Sequence, residues 1–245
     1  MNRLYQVSTL NALMLGNFDS ADTIAHVLSM GNFGIGTFTG MDGEMIVCDG
    51  TAYRAAASGR VQPAELSETT PFCIVGKDDP SVSFENCPQP IPSFEALKAL
   101  LDEKIDALGG NKNCFYLMHS HGVFPFMHIR SIAKQQKPYL TLPQVASSQQ
   151  EHLYEAIRGN VVGVWFPAYC SGINMPGWHL HFLSEDRSCG GHILELSASE
   201  LAWKLLPKTD FALHLPTNPE FACLPLDRDL SRETKSVEGE SQKNK

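Results

Sequence analysis

The chain has 245 residues, 43% of them hydrophobic, and a formal net charge of −8 at pH 7. This length and composition can bury a sizeable core. The acidic balance, with no basic run along a predicted helix, disfavours nucleic acid and anionic lipid as partners, and no apolar stretch reaches the roughly 18 residues of a membrane-spanning helix. We therefore expect a globular protein without nucleic acid or membrane partners.

Seven cysteines are scattered along the chain, and no two of them have the Cys-X-X-Cys spacing. Such a set indicates reduced thiols, most of them buried as small apolar residues. The N-terminal stretch has no convincing signal-peptide cleavage site. Together these features predict a cytoplasmic protein.

The first half of the chain reads mainly as β-structure. A short helix is predicted over residues 21–30, followed by a hairpin whose strands at 33–38 and 45–48 are joined by a tight turn at Asp42-Gly43. One longer helix is predicted from Phe94 to Leu108, capped by Ser93 and ended by two glycines. Further strands are predicted at 53–57, 72–75, 114–119 and 124–132.

The second half combines two predicted helices with several strands. Helical spacing of apolar residues predicts helices at 143–158 and 199–206. Residues 227–245 are charged and poor in apolar side chains, so composition alone predicts a mobile tail. Strands are predicted at 161–169, 178–184, 191–197 and 211–215.

Three histidines in this half have the spacing of metal ligands. His179 and His181 alternate with apolar residues, so on a strand both project from one face, about 7 Å apart along the chain. A hairpin centred between Asp186 and Arg187 would set His192 directly opposite His181. Three imidazoles would then converge on one face of two neighbouring strands.

Three nitrogen ligands leave coordination positions open, as in a catalytic rather than a structural zinc site. Several readings of this pattern remain open. The histidines could be partly buried and satisfied by backbone carbonyls, they could belong to a non-catalytic cupin-like module, or they could serve a zinc hydratase or hydrolase. Cupins usually add a glutamate on the strand face, whereas Glu185 falls in the predicted turn.

A second histidine group competes with the first. His119 and His121 also form a His-X-His pair on a predicted strand, with His128 nearby, and pattern alone does not exclude them as the metal site. Gly122 follows where the strand is expected to turn, which makes His121 less suited to face inward. We predict surface or supporting roles for these three residues.

With these residues in view, the chain resembles the bacterial α-acetolactate decarboxylases over nearly its whole length. The Met118–Gly122 stretch is a departure, since relatives are expected to lack its histidines. The matching stretches are Tyr5–Leu13, Phe33–Met45, Arg130-Ser131, Lys137–Tyr139, Gly172–Ser184 and Asp186–His192.

The resemblance implies an α+β fold, a mixed α/β architecture of two β-sheet subdomains with flanking helices, and a homodimer. We divide the chain into an N-terminal β-rich subdomain at 1–135, a C-terminal β subdomain carrying the metal site at 136–226, and a tail at 227–245 that folds over the active site. No flexible linker marks the first boundary.

The resemblance also implies a set of site residues. His179, His181 and His192 would bind zinc, although imidazoles also accept manganese, iron or cobalt. Thr37 would lie near the substrate. The catalytic residues would be Glu44, Arg130 and, from the tail, Glu238.

The implied reaction converts (S)-2-acetolactate to (R)-acetoin and carbon dioxide. Loss of carbon dioxide pushes an electron pair toward the neighbouring ketone oxygen, and a metal ion can serve as the electron sink. No motif for thiamine diphosphate, pyridoxal phosphate or NAD is present, so none of these cofactors is expected.

Overall fold

Two β-sheets dominate the computed structural model, which describes residues 2–237. The strands of the first sheet are β1 (Arg3–Val7), β3 (Phe33–Thr37), β4 (Glu44–Cys48), β5 (Thr51–Ala55), β6 (Val61–Pro63), β8 (Phe72–Gly76) and β15 (Asp210–His214). Those of the second are β9 (Glu85–Asn86), β10 (Phe115–Ser131), β11 (Gln150–Phe166), β12 (Gly177–Ser184), β13 (Gly190–Ser197) and β14 (Glu200–Lys208). The seven strands of the first sheet have the order β15-β1-β8-β3-β4-β5-β6, and the second sheet has the order β11-β12-β13-β10-β14-β9.

Short helices flank the sheets, and two further strands, β2 (Asp22–Thr23) and β7 (Thr69–Thr70), pair separately. None of the helices between residues 2 and 237 is long and apolar enough to cross a membrane. The helices are α1 (Leu10–Met14), α2 (Ile24–Met30), α3 (Phe94–Ala107), α4 (Leu142–Ala146), α5 (Pro219–Ala222) and α6 (Ser231–Val237), with a 3-10 turn at Ala168–Cys170.

The apolar side chains form layers on both sides of each sheet. Between the sheets, Ile35 and Ile74 of the first pack in one cluster with Val162 of the second. The opposite face of the first sheet, including Val47, packs with α2. The opposite face of the second sheet packs with Leu101 and the rest of the buried face of α3. This arrangement confirms the predicted mixed fold and buries nearly every residue of the central strands.

Several predicted elements are confirmed. The helix at 94–108 is α3, where Ser93 Oγ accepts a hydrogen bond from the Ala96 amide at 3.1 Å. The predicted hairpin at 33–48 is formed by β3 and β4, but the predicted tight Asp42-Gly43 turn is wrong: Thr37 pairs with Glu44, so residues 38–43 form a longer connection, and Gly43 at its end has a φ of +83°. A side chain at residue 43 would also meet the Ala55 carbonyl oxygen at 2.4 Å, so glycine is required there.

Two predicted helices are wrong. Of residues 143–158, only 143–146 are helical, within the short helix α4, and β11 begins at Gln150; residues 200–206 lie in strand β14. Both segments pair with β10, which runs through His121 and Gly122 without the predicted turn. The helical spacing of their apolar residues was a weak local preference, and long-range pairing with a buried strand overrides it.

The expectation of a mobile tail is wrong for residues 231–237, which form α6. Leu230 and Val237 are buried in the same cluster as Leu13 of α1 and Val145 of α4. These few apolar side chains are enough to hold a charged segment against the core. The predicted catalytic residue Glu238 lies outside the described residues.

The division of the chain at 135/136 stays a prediction. The two sheets do not separate there, because β10 precedes that point and belongs to the second sheet, whereas β15 returns to the first sheet and pairs with β1.

Candidate active site

The three predicted ligand histidines lie together on two neighbouring strands. His181 of β12 is paired directly with His192 of β13, as the sequence predicted. The turn between them is held by Asp186, whose side chain accepts hydrogen bonds from Ser184 and Ser188. This turn fixes the register that puts the histidines on one face.

The ring nitrogens of the three histidines face one another. His179 Nε2 lies 3.0 Å from His192 Nδ1 and 3.2 Å from His181 Nε2. Ligands on a four-coordinate zinc ion, with bonds of about 2.0–2.1 Å, are separated by roughly 3.3 Å. The three rings therefore fit one metal ion of this size with little movement.

The orientation of His181 is set by the first sheet. His181 Nδ1 lies 2.9 Å from the carbonyl oxygen of Met45 in β4. A carbonyl oxygen only accepts, so Nδ1 carries the proton and Nε2 presents its lone pair toward the other two rings. Backbone partners of this kind commonly orient metal-binding histidines.

Burial keeps the imidazoles of His179 and His181 neutral. It lowers the pKa of His179 to about 3, with a further contribution from the positive charge of Arg130. Burial also places the pKa of His181 well below its ordinary value, and the neighbouring His179 and Arg130 act in the same direction. Neutral imidazole is the form that binds metals, so these two rings are ready to bind a metal ion at neutral pH.

Two charged side chains and a hydroxyl adjoin the histidines. Glu44 begins β4 and is 7% exposed, with its Oε2 3.7 Å from His181 Nε2. Thr37 is paired with Glu44 across the hairpin, and its hydroxyl donates to the Gly43 carbonyl oxygen at 2.8 Å. Arg130 of β10 is 4% exposed and pairs with His192 across the sheet.

These residues line one cavity together with His179, His192 and Gly36. The rest of its wall is apolar, so charges inside it are poorly screened by water. The apolar lining consists of Leu10, Leu13, Met41, Phe72, Ile132, Leu142 and Val237. The cavity thus lies between the two sheets and is bordered by α1, α4 and the end of α6.

The competing histidines lie elsewhere and do not join this group. His119 is buried against the Phe33 ring at 4.4 Å, and burial lowers its pKa. His121 is exposed beside Phe84, and His128 Nε2 lies 2.8 Å from the Glu151 carboxylate. Among residues 2–237, the group His179, His181 and His192 is the one whose ligand atoms lie within 4.8 Å of one another.

One polar neighbour of the site was missed by the sequence reasoning. Arg130 Nη1 donates to Gln149 Oε1 at 2.8 Å. Gln149 lies directly before β11, in a segment for which the sequence predicts a helix. The sequence pattern therefore gives no sign that Gln149 approaches β10. Only knowledge of the β10–β11 pairing would have revealed it.

Two packed sheets that present three histidines, a glutamate and an arginine to one buried cavity define a candidate enzyme site able to hold a single metal ion. Comparisons with known proteins agree with this class. The family model described as alpha-acetolactate decarboxylase matches residues 4–228. The chain belongs to the alpha-acetolactate decarboxylase family, whose members are carboxy-lyases.

Individual relatives match over most of their length. The alpha-acetolactate decarboxylase of Methanosarcina mazei is 35% identical over 235 residues, covering 96% of this chain and 80% of that protein. The Bacillus licheniformis enzyme of the same name is 32% identical, with 98% and 92% covered. The crystal structure of alpha-acetolactate decarboxylase from Bacillus subtilis superposes with a TM-score of 0.90 at 30% identity, covering 97% of this chain and 99% of that one.

Proposed function

We propose that the protein converts (S)-2-acetolactate to (R)-acetoin and carbon dioxide, with one divalent metal ion held by His179, His181 and His192. The observation that carries this proposal is the convergence of their three ring nitrogens, separated by 3.0 and 3.2 Å, at a cavity that also holds Glu44 and Arg130. Zinc is the proposed metal, because its coordination distances match this spacing.

The reaction breaks the bond between the carboxylate and the carbon that bears the hydroxyl. The electron pair of that bond moves into a new carbon–carbon double bond as the ketone oxygen gains negative charge, and a proton then adds to the former carboxylate-bearing carbon. When bound, the metal supplies a Lewis acid that polarises the ketone oxygen. The protein must bind the substrate in one orientation, stabilise the negative charge and deliver one proton.

Arg130 is proposed to stabilise the negative charge that develops on the substrate oxygens. Its guanidinium is buried in an apolar cavity, where a fixed donor is worth far more than in water. A tight grip on the departing carboxylate would stabilise the substrate as much as the transition state and would not raise the rate. We therefore place its donors at the oxygens and not at the carboxylate.

Glu44 and Glu238 are proposed to hold and move the proton. The Glu44 carboxylate is buried beside His181, within the same cavity as Arg130. Val237 directly precedes Glu238 in the chain and lines the cavity, which supports a role for the glutamate. Thr37 is proposed to contact the substrate from the end of β3.

The remaining properties are also proposals. All seven cysteines are free thiols, which supports a reducing compartment such as the cytoplasm. We propose a homodimer that uses no thiamine diphosphate, pyridoxal phosphate or NAD and binds no nucleic acid. Membership of a carboxy-lyase family favours decarboxylation over a cupin-like binding module or a hydratase.

Product analysis tests the proposed function directly. Racemic 2-acetolactate is supplied to purified protein before and after treatment with a chelator, and acetoin and carbon dioxide are measured. We expect equimolar products, loss of turnover after chelation, and recovery when zinc, manganese, iron(II) or cobalt is returned. A hydrated product, or no turnover by the metal-loaded protein, would contradict the proposal.

A further inference from the structure

A chain of hydrogen bonds leads from the buried arginine to the protein surface. Arg130 Nη1 donates to Gln149 Oε1 at 2.8 Å, and Gln149 Nε2 donates to Glu151 Oε1 at 2.8 Å. The other carboxylate oxygen of Glu151 lies 2.8 Å from His128 Nε2. Gln149 thus connects Arg130, which lines the cavity, to the hydrogen-bonded pair of Glu151 and His128 on β11 and β10.

The chemistry of its two neighbours fixes the orientation of the Gln149 amide. A guanidinium group only donates hydrogen bonds, and an ionised carboxylate only accepts them. The amide oxygen must therefore face Arg130 and the amide nitrogen must face Glu151. The hydrogen bond from Gln149 lowers the pKa of Glu151, with His128 acting in the same direction, which keeps the carboxylate ionised at neutral pH.

The backbone on both sides of Gln149 is also held. The backbone amide of Gln149 donates to the Ala146 carbonyl oxygen at 3.1 Å, at the end of α4. Immediately afterwards, Gln150 pairs with Ser131 and Glu151 pairs with Arg130 itself. The side chain of residue 149 therefore starts from a defined position opposite the arginine that it contacts.

We propose that Gln149 is a positioning residue for Arg130, holding the guanidinium in the direction that the decarboxylation requires, while Glu151 and His128 hold Gln149. This inference rests on the role proposed above for Arg130. A donor that stabilises charge developing in the transition state must point at the atom that carries this charge. A displacement of about 1 Å can cost on the order of a hundredfold in rate. Loss of the Gln149 oxygen should consequently lower kcat more than it raises KM.

The test uses substitutions that separate the hydrogen bond from side-chain volume. Gln149→Met keeps the length of the side chain and removes both polar atoms. The double variant Gln149→Glu with Glu151→Gln exchanges amide and carboxylate, so that residue 149 again accepts from Arg130 and residue 151 donates to it. Gln150→Met is the matched control, since the side chain of Gln150 is exposed and donates to the Ser148 carbonyl oxygen at 3.2 Å, outside the chain of hydrogen bonds that reaches Arg130.

For Gln149→Met we expect kcat to fall roughly 10- to 100-fold, with KM, metal content and thermal midpoint near those of the wild type. The exchanged double variant should recover most of the lost kcat, and Gln150→Met should behave as the wild type. Glu151→Met provides a second probe on the exposed strand face and should lower kcat by a smaller factor, because it frees the amide to rotate.

Unchanged kcat in Gln149→Met, or an exchanged variant that stays as slow as the single one, would refute the positioning role. The same holds if the loss of activity merely follows a loss of metal or of thermal stability. The wild type is assayed alongside for acetoin release. An inactive wild type would overturn the proposed function, and this inference with it, whereas an active wild type with an equally active Gln149→Met variant would refute the positioning role alone.

Discussion

The ring nitrogens of the three histidines converge on one point, and contacts from both sheets hold them there. The ring of His181 is oriented by the Met45 carbonyl oxygen of β4, whereas the backbone of His192 is placed by its pairing with His181 and Arg130. His179 and His181 lie on β12 and His192 lies on β13, so removing the His192 ring leaves the other two in place. A pair of imidazoles binds a divalent ion far more weakly than three.

Replacement of His192 tests this dependence. We expect His192→Ala to lose bound metal and acetoin production together, as measured by elemental analysis and product assay on the same sample. His121→Ala is the control: this exposed histidine belongs to the competing group, and its variant should keep one metal per chain. Stoichiometric metal in His192→Ala, or its loss in His121→Ala, would point to a different ligand set.

Glu44 offers a second test at the level of one residue. Its carboxylate is buried beside the histidines, and removal of a proton-transferring group typically costs about 10²- to 10⁴-fold in rate. Glu44→Gln should reduce kcat by a factor in this range while retaining metal, since the amide has nearly the same shape. Steady-state kinetics with metal analysis of the same samples test this prediction. A kcat of Glu44→Gln near that of the wild type would show that Glu44 takes no part in proton transfer.

Among the elements, the hairpins were the most predictable from sequence. The connection between β3 and β4 spans residues 38–43 instead of the predicted two-residue turn, but the second hairpin turns at Asp186-Arg187 as predicted. Because strand side chains alternate with a period of two, the second turn was enough to place His192 opposite His181. The role of Arg130 could not be derived in this way and came from family resemblance.

The long strands β11 and β14 were the least predictable elements. In both, the apolar residues also fit a helical spacing, and the decisive contact is with β10, which lies far away in the chain. Local patterns do not contain that pairing. The missed contact of Gln149 with Arg130 is a direct consequence of the wrong helix.

The C-terminal helix α6 carries a prediction at this scale. A chain ending at Ser236 loses Val237, which is buried and lines the cavity, and also loses Glu238. We expect turnover to fall at least about tenfold while the far-ultraviolet circular dichroism spectrum stays native, since an element of few contacts contributes little to global stability.

A chain ending at Val237 serves as the matched comparison, because it keeps the buried side chain and removes Glu238. If the glutamate is catalytic, both truncated chains should be slow. Full acetoin production by the chain ending at Ser236 would show that residues 237–245 are dispensable.

At the scale of the whole molecule, His179 and His181 couple stability to pH in the metal-free protein. Their pKa values lie below 6.5 in the folded state, about 3 for His179 and lower than the ordinary value for His181, and both return to about 6.5 on unfolding. Between the folded-state pKa values and about pH 6.5, the unfolded chain binds protons that the folded chain does not. Stability is therefore full above about pH 6.5 and decreases as the pH falls below it.

Urea unfolding of metal-free protein at several values of pH measures this coupling. We expect the free energy of unfolding to decline from pH 7 to pH 5, and to decline less steeply in His181→Gln, which cannot titrate at that position. Identical slopes for the two proteins would mean that His181 does not titrate on unfolding.

The account as a whole depends on one metal ion at the meeting point of the three rings. Anomalous diffraction from zinc-loaded crystals, recorded on both sides of the zinc absorption edge, locates that ion. We predict a single peak about 2.0–2.1 Å from Nε2 of His179, Nε2 of His181 and Nδ1 of His192. A stoichiometric zinc peak at any other position, or none between these rings in a protein that releases acetoin, would contradict the account.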